Sequence, residues 1–444
     1  MATSMPCVRS RHISLTALGF GLAIGLGSTI NMLIITSASA APVEPVHSLA
    51  AKEKAPLIET LKGLVSIESG SGDREGLDKI ADVIADRLKA LGGAIEMIEP
   101  APIDTYRMVD TPRQIGKMVQ ARFTGTGTAK IMLIAHMDTV YQRGMLARQP
   151  FRIDGNRAYG LGIADDKHGI ALILHTLAIL REMNFRDFGR ITVLINGDEE
   201  VSSPGSRATL IRLGGEHDVV FSCEGARVDS DQLSLTTAGI GAVVLNVKGR
   251  ASHAGAAPER GRNALYELAH QILQTRDLSN PETGLKMNWT IANAGTDHRN
   301  VIPANASAVA DVRVLRVADY DGIEQKVRER IKKRLIEDAT VEMTFERRRP
   351  PLEMTPASKA LARHAQGIYG EIGNTLIVRD VAEGGGTDAA FAAMRTKAAV
   401  IERFGLRGFG AHSDEAEYID LDSIEPRLYL LTRMIIDVSQ GKTN

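Results

Sequence analysis

The chain has 444 residues, 44% of them hydrophobic and 24% charged, with a formal net charge of -1. That balance excludes the strongly basic footprint of a nucleic-acid binder, and the length favours two or more domains. With ten Phe, eight Tyr and one Trp, the core has to be mainly aliphatic.

The first forty residues stand apart. Arg9, Arg11 and His12 precede an apolar run that continues to Ile35 and exits through Ala38-Ser39-Ala40, with no acidic residue before Glu44. A basic start, an apolar middle and a small-residue exit make a secretory signal, so cleavage is expected after Ala40. The mature chain is then expected in the periplasm or outside the cell, without stable membrane association. A retained anchor is the alternative, because the run is long. Cys7 leaves with the signal, Cys223 stays alone, and no intrachain disulfide can form in the mature chain.

From residue 41 the spacing predicts a helix over 57–67 started by Pro56 and a second over 77–91 ended by Gly92-Gly93. Strands are expected at 94–98 and 117–123. Next comes Ile131-Met-Leu-Ile-Ala-His136-Met-Asp138, an apolar strand of the buried parallel type that delivers an imidazole at its carboxyl end. Ligands of open α/β sheets bind at that end. Asp138 lies two residues on, where a carboxylate can orient a ligating ring. Taken alone, the stretch also fits a strand ending in a polar turn with a surface His.

A glycine-rich loop then carries Asp165 and Asp166 into the apolar helix that starts near Ile170. Acids at a helix start can simply cap it. Gly160-x-Gly162 has no third glycine or lysine at the spacing of a phosphate loop. The apolar strand 190–196 ends in Asp198-Glu199-Glu200, and the strand 218–223 ends at Glu224. Strand ends of a parallel sheet share one edge, so these groups can converge. Residues 236–350 alternate differently and predict an α+β unit with antiparallel strands, inserted between catalytic segments 41–235 and 351–444. The last segment holds Gly384-Gly-Gly386-Thr387-Asp388 and His412-Ser-Asp414, then a helix capped by Asp422 or Ser423. The fold expected is therefore α/β, with a mixed, largely parallel sheet and an inserted α+β domain.

His136, Asp165, Glu200, Glu224 and His412 are the imidazoles and carboxylates that borderline divalent cations take. Two zinc ions fit five such groups only if one carboxylate bridges, as in two-metal hydrolytic centres. Most other histidines read as packed or solvated; His168 reads as a rim residue at most.

His136-Met-Asp138-Thr-Val, Ala-Asp165-Asp166-Lys167-x-Gly169, Asp198-Glu199-Glu200 and Ser252-His253-Ala-Gly resemble the co-catalytic zinc exopeptidases that include aminoacylase and succinyl-diaminopimelate desuccinylase. Gly-Gly-Gly-Thr-Asp-Ala-Ala, Asn-Trp-Thr-Ile-Ala and His-Ser-Asp-x-Ala-Glu-Tyr are most similar to the glutamate carboxypeptidase branch (carboxypeptidase G type). The resemblance implies two Zn²⁺ per subunit. Asp165 would bridge them, His136 and Glu224 would complete one site, and Glu200 and His412 the other. It further implies Glu199 as general base, Asp138 as the support of His136, and a cis Asp165–Asp166 peptide. The inserted domain would be a lid that forms a homodimer and sends His253 into the partner's site. Asn300, Arg313, Gly386 and Thr387 would meet the substrate; without the resemblance His253 could merely cap its loop and Arg313 could be solvated.

The function implied is a metallocarboxypeptidase that releases a C-terminal amino acid, with glutamate expected from folate-like or other N-acyl substrates. Asp231-Gln232 stands where that branch carries a lysine, which weakens the expected glutamate preference. An aminoacylase-type amidohydrolase or dipeptidase is the alternative. A metal-stabilised binding protein without turnover is the reading from another class, and a buried Glu199 with no partner would argue against it.

Overall fold

The computed structural model describes residues 41–413 and 417–443. The expected signal over 1–40, with Asp414 and Glu415 of the last motif, lies outside the described residues. The strands that position the site are β1 (Ala94–Ile98), β2 (Met118–Thr124), β3 (Lys130–His136), β4 (Arg190–Asn196), β5 (Val219–Ser222), β6 (Gly239–Lys248), β7 (Lys286–Ala294), β8 (Asn305–Val314), β9 (Thr340–Arg349) and β10 (Ala399–Ile401). The helices are α1 (Val46–Val65), α2 (Arg74–Ala90), α3 (His168–Glu182), α4 (Arg207–Gly215), α5 (Ala264–Thr275), α6 (Asp319–Arg330), α7 (Pro356–Glu371), α8 (Ala389–Ala393) and α9 (Ile424–Ser439).

The central sheet has the order β1-β2-β4-β3-β5-β10. Strands β4, β3, β5 and β10 run parallel, while β2 is antiparallel to both its neighbours. Both faces of this sheet are covered, which is why its strands read as unbroken apolar runs. Along β3, Ile131, Leu133 and Ala135 join the core beneath α1, α3 and α9. Met132 and Ile134 join the opposite core with Leu210 and Leu213 of α4 and Ala389–Ala392 of α8. Each Leu, Ile or Met so placed contributes about 1.5–3 kcal/mol of burial, an alanine methyl about 0.8 kcal/mol. In register, His136 pairs with Asn196 and Ile134 with Ser222, so the chain leaves all three central strands at one level.

The inserted sheet is separate and fully antiparallel, in the order β7-β8-β6-β9. Val243, Leu245, Ala308, Ala310 and Val312 pack with Leu268 of α5 and Ile323 and Val327 of α6 into its own core. Two short ribbons complete the fold: Ile377–Arg379 beside Gln232–Ser234, and a five-stranded set that includes Arg407–Phe409 and Tyr418–Asp420. No helix among the described residues is long and apolar enough to cross a membrane.

Three expectations change. Helix α1 starts at Val46 and continues through Pro56, instead of starting there. Burial of Val46 and Ala50 before the proline, and of Leu57 and Leu61 after it, outweighs the one missing N–H. Helix α9 has no side-chain cap: a 3₁₀ turn, Leu421–Ser423, runs straight into it. Ser423 Oγ instead donates to the Asp420 carbonyl at 2.6 Å and accepts the Arg407 N–H at 3.1 Å. Helix α4 is not expected from the sequence: it is nine residues long and has no side-chain cap to mark its start.

Candidate active site

The three strand ends and two loops converge as the motif spacing suggests. His136, at the end of β3, is 1% exposed. Its Nε2 lies 2.9 Å from Asp165 Oδ1 and 3.4 Å from Glu224 Oε1. His412 comes from the far end of the chain, and its Nε2 lies 3.1 Å from Glu200 Oε2 and 3.4 Å from Asp165 Oδ2. The two oxygens of Asp165 thus face different histidines. Its peptide bond to Asp166 is cis, as expected.

Asp166 also lies within 4.8 Å of His136 and Glu224 by ligand atoms. It is fully buried, however, and its Oδ2 accepts the backbone N–H of His136 at 3.4 Å. Asp165 faces the cavity and Asp166 does not.

Asp138 does more than orient the ring. His136 Nδ1 lies 3.0 Å from the Asp138 carbonyl and 3.3 Å from its Oδ1. That carboxylate also accepts the backbone N–H groups of Glu199 at 3.0 Å and Glu200 at 3.1 Å, and the Ser71 hydroxyl at 2.8 Å. One buried side chain therefore ties the end of β3 to the acidic pair after β4.

The electrostatics are those of crowded carboxylates. Burial and the Asp165 charge push Glu200 up to about 7. Burial and Glu224 push Glu402 to about 7 as well, and burial raises Glu224 itself. Hydrogen bonds to Asp165 and Glu200 raise His412 to about 10. Burial works against the His136 cation, yet Glu224, Asp138 and Asp165 hold its proton affinity well above the ordinary value. Two imidazoles and three carboxylates on one sheet edge, with more acids behind them, have the donor chemistry and charge that suit divalent cations.

Residue placement divides the remaining expectations. Arg313 and Gly386 line a cavity of about 640 Å³ over the cluster, with Glu199 and Glu200 in its floor. A side chain at Gly386 would meet Arg349 Cδ at 2.6 Å and Ile240 Cδ1 at 2.8 Å, so it would displace those two side chains. Thr387 does not line the cavity; it is buried and its Oγ1 accepts the Ala389 N–H at 3.1 Å. His253 and Asn300 are exposed on neighbouring loops of the inserted domain and do not line this chain's cavity. His253 Nδ1 accepts the N–H groups of Gly255 and Ala256 at 3.2 and 3.0 Å, which leaves Nε2 to carry the proton. The Asn300 carbonyl accepts the Ala254 N–H at 2.8 Å.

Three further residues carry weight that motif reading missed. Arg349, the last residue of β9, donates from Nη1 to Glu199 Oε1 and from Nη2 to the Glu199 carbonyl. Glu199 therefore has a buried cationic partner, and the argument from an unpartnered carboxylate does not hold. Glu417 accepts the Gly162 and Ala164 N–H groups at 2.9 and 2.8 Å and the Tyr141 hydroxyl, fixing the loop that presents Asp165. His168 is no rim residue: it is fully buried, and burial lowers it to about 3. The only sequence signal for Arg349 was its run, Arg347-Arg348-Arg349, at the exit of the inserted domain.

The fold, a largely parallel sheet with a separate antiparallel sheet, and this site define a metal-dependent amide hydrolase of the peptidase type. Residues 132–437 match Peptidase family M20/M25/M40, and the chain belongs to that family. It is 43% identical over 393 residues to carboxypeptidase G2 of Pseudomonas sp. (strain RS-16), covering 88% of this chain and 92% of that one. Among solved structures it resembles aminopeptidase PepT from Bacillus cereus ATCC 10987, with a TM-score of 0.70 at 20% identity, covering 87% of this chain and 98% of that one. It also resembles the M20 family metallo-carboxypeptidase Sso-CP2 from Sulfolobus solfataricus, with a TM-score of 0.66 at 16% identity over 86% and 99%. These two likenesses concern the fold. The chain is thus a metallopeptidase similar to carboxypeptidase G2.

Proposed function

We propose that the enzyme hydrolyses the amide bond to a C-terminal amino acid, with a preference for glutamate on an N-acyl substrate, and holds two zinc ions per chain. The observation that carries this reading is Asp165, whose two oxygens point at His136 and His412 in the floor of a cavity that also contains Glu199. His136 and Glu224 would hold one ion, Glu200 and His412 the other, with Asp165 shared. Ions there supply Lewis acidity toward the scissile carbonyl and acidify water.

The chain's own groups account for the remaining work. Glu199 accepts the proton of the attacking water and returns it to the leaving nitrogen. Arg349 holds the Glu199 carboxylate in place. Arg313 is fixed by Asp311 through Nε and by the Gly384 carbonyl through Nη1 at 3.0 Å. Its Nη2 has no hydrogen-bond partner among the described residues and is available to a substrate carboxylate. Arg403 adds positive charge to the same wall, while Arg227 beside it is paired with Asp229 at 3.1 Å. Asp231, standing for the missing lysine, is matched by Arg427 at 2.7 Å and Arg407 at 3.4 Å. Its charge is thereby offset, which supports acceptance of a dicarboxylate.

Export and dimerisation belong to the same reading. The sequence of residues 1–40 supports a cleaved signal and a periplasmic or secreted enzyme. Strand β7 is a sheet edge, and Ile291 on it, with Tyr266 and Leu273 on α5, are large exposed apolar side chains. An open edge with apolar neighbours supports pairing with a second copy. In that dimer the free Nε2–H of His253 would serve the partner's oxyanion.

A panel of N-acyl amino acids offered to the zinc-loaded enzyme tests the substrate. Release of glutamate faster than neutral amino acids is expected; a flat or apolar preference would overturn the glutamate assignment. Mixing Glu199→Gln with His253→Ala subunits tests the shared site: at random exchange about half the molecules are heterodimers, each with one competent centre of two, so about a quarter of wild-type activity returns to the mixture. No recovery after proven subunit exchange would place His253 outside the reaction.

A further inference from the structure

Helix α4 opens on a buried arginine whose contacts the reaction outlined above does not use. Arg207 is 9% exposed and makes no ion pair among the described residues. Its guanidinium is spent on neutral carbonyls instead. Nε donates to the Ser203 carbonyl at 3.2 Å and Nη2 to the Ser202 carbonyl at 2.7 Å. On the other side Nη2 reaches the Arg348 carbonyl at 2.8 Å and Nη1 the Arg347 carbonyl at 3.4 Å. The guanidinium carbon sits 4.1 Å from the Tyr106 ring centre and 4.9 Å from that of Phe391. Tyr106 spans the same gap: its N–H donates to the Pro204 carbonyl at 2.9 Å, and its hydroxyl accepts the Arg347 N–H at 3.2 Å.

The two segments joined in this way are those that carry Glu199 and Arg349. Ser202 and Ser203 form a turn with φ of 68° and 52°, closed by N–H bonds of 2.8 Å to the Glu199 and Asp198 carbonyls. The Arg347 and Arg348 carbonyls immediately precede Arg349, at the end of the inserted domain. A planar fork gripping carbonyls on both sides fixes a separation, which a lysine ammonium cannot do.

We propose that Arg207 is a positioning residue for the reaction: by fixing the turn after Glu199 against the end of β9, it sets the Arg349–Glu199 pair. This rests on the reading of Glu199 as the general base. Arg207 does not line the cavity and bonds to no metal ligand, so its effect passes through the two segments that carry Glu199 and Arg349.

The test is a double-mutant cycle on the zinc-loaded enzyme, using Arg207→Met, Arg349→Met and the double variant, with kcat, KM and bound zinc measured for each. Arg207→Met should lower kcat by about tenfold, within the coupling range of connected residues, and leave KM and two zinc ions per chain nearly unchanged. In the Arg349→Met background the same change should have almost no further effect on kcat. Arg207→Lys should not rescue, whereas millimolar guanidinium added to Arg207→Gly should restore part of the turnover.

A merely structural role predicts otherwise: lost zinc or stability, with kcat losses that add across the cycle. That result, or unchanged kcat in Arg207→Met, overturns the proposal. Should Arg207→Met not fold, Tyr106→Leu enters the same cycle, and additive losses there count equally against it. A Glu199→Gln control separates the two readings. If that variant keeps wild-type turnover, the general-base reading falls and this one with it. If it is inactive while the Arg207 and Arg349 effects add, only the positioning role falls.

Discussion

Replacing Asp138 by Asn should damage stability and turnover together, because one carboxylate holds both strand ends. Its Oδ1 takes the Glu199 N–H at 3.0 Å, and Oδ2 takes the Glu200 N–H at 3.1 Å and the Ser71 hydroxyl at 2.8 Å. Asparagine keeps one acceptor oxygen and turns an NH₂ group toward the other buried amide. Ser71 can shift to the Thr139 carbonyl, already 3.3 Å away, so its loss is small. The amide left facing a donor cannot shift, and an unsatisfied buried donor costs about 1–3 kcal/mol. Loss of the charge from the remaining bonds adds about 1 kcal/mol, for a total of about 2–4 kcal/mol. Urea unfolding of the chelator-treated variant beside wild type measures this without the metal contribution. Turnover of the zinc-loaded variant should fall at least tenfold, since the Glu199–Glu200 backbone is no longer held. A variant with wild-type unfolding midpoint and wild-type turnover would refute the reasoning.

Glu199→Gln should retain two zinc ions by elemental analysis while turnover falls by about 10²–10⁴; near-normal turnover at full occupancy would remove Glu199 from the mechanism. His217 is a pH-sensitive element away from the metals. Burial lowers its proton affinity, and its Nδ1–H donates to the Leu213 carbonyl at 2.7 Å while Nε2 meets Thr192 Oγ1 at 2.8 Å. The folded state holds the ring neutral, so its contribution is present above the unfolded value of about 6.5 and is lost as pH falls toward the folded one. Thermal melts of chelator-treated protein from pH 7.5 to 5 should show a shallower decline for His217→Gln than for wild type, and an equal slope would count against this assignment. Signal cleavage is checked by N-terminal sequencing of the exported protein, expected to begin Ala41-Pro-Val-Glu; an intact Met1 on membrane-bound protein would indicate an anchor.

The convergence of five ligand-type side chains was legible in the sequence because three lie within a few residues of apolar strand ends. In a parallel sheet, chain order and strand direction are enough to bring His136, Glu200 and Glu224 to one edge. Asp165 and His412 were legible through their local motifs. The contacts of Arg349 with Glu199 and of Arg207 with the end of β9 span 150 and 140 residues and tie the antiparallel sheet to the segment after β4. No local periodicity records such a meeting. Burial of His168 was hidden for a related reason: Gly225 and Gly405, which make room for its ring, lie on two other segments. Pro56 misled because propensity marks a helix start there, while packing on both sides of it decides otherwise. The short ribbons around the site have three-residue strands with little burial pattern to read.

The most direct test of the metal-centred account is a zinc titration of the chelator-treated enzyme against hydrolysis of an N-acyl glutamate. Activity should be absent without metal and should saturate at two zinc ions per chain, with a Glu200→Ala or His412→Ala variant binding fewer and remaining inactive. Full activity without metal, or in either ligand variant, would contradict the account.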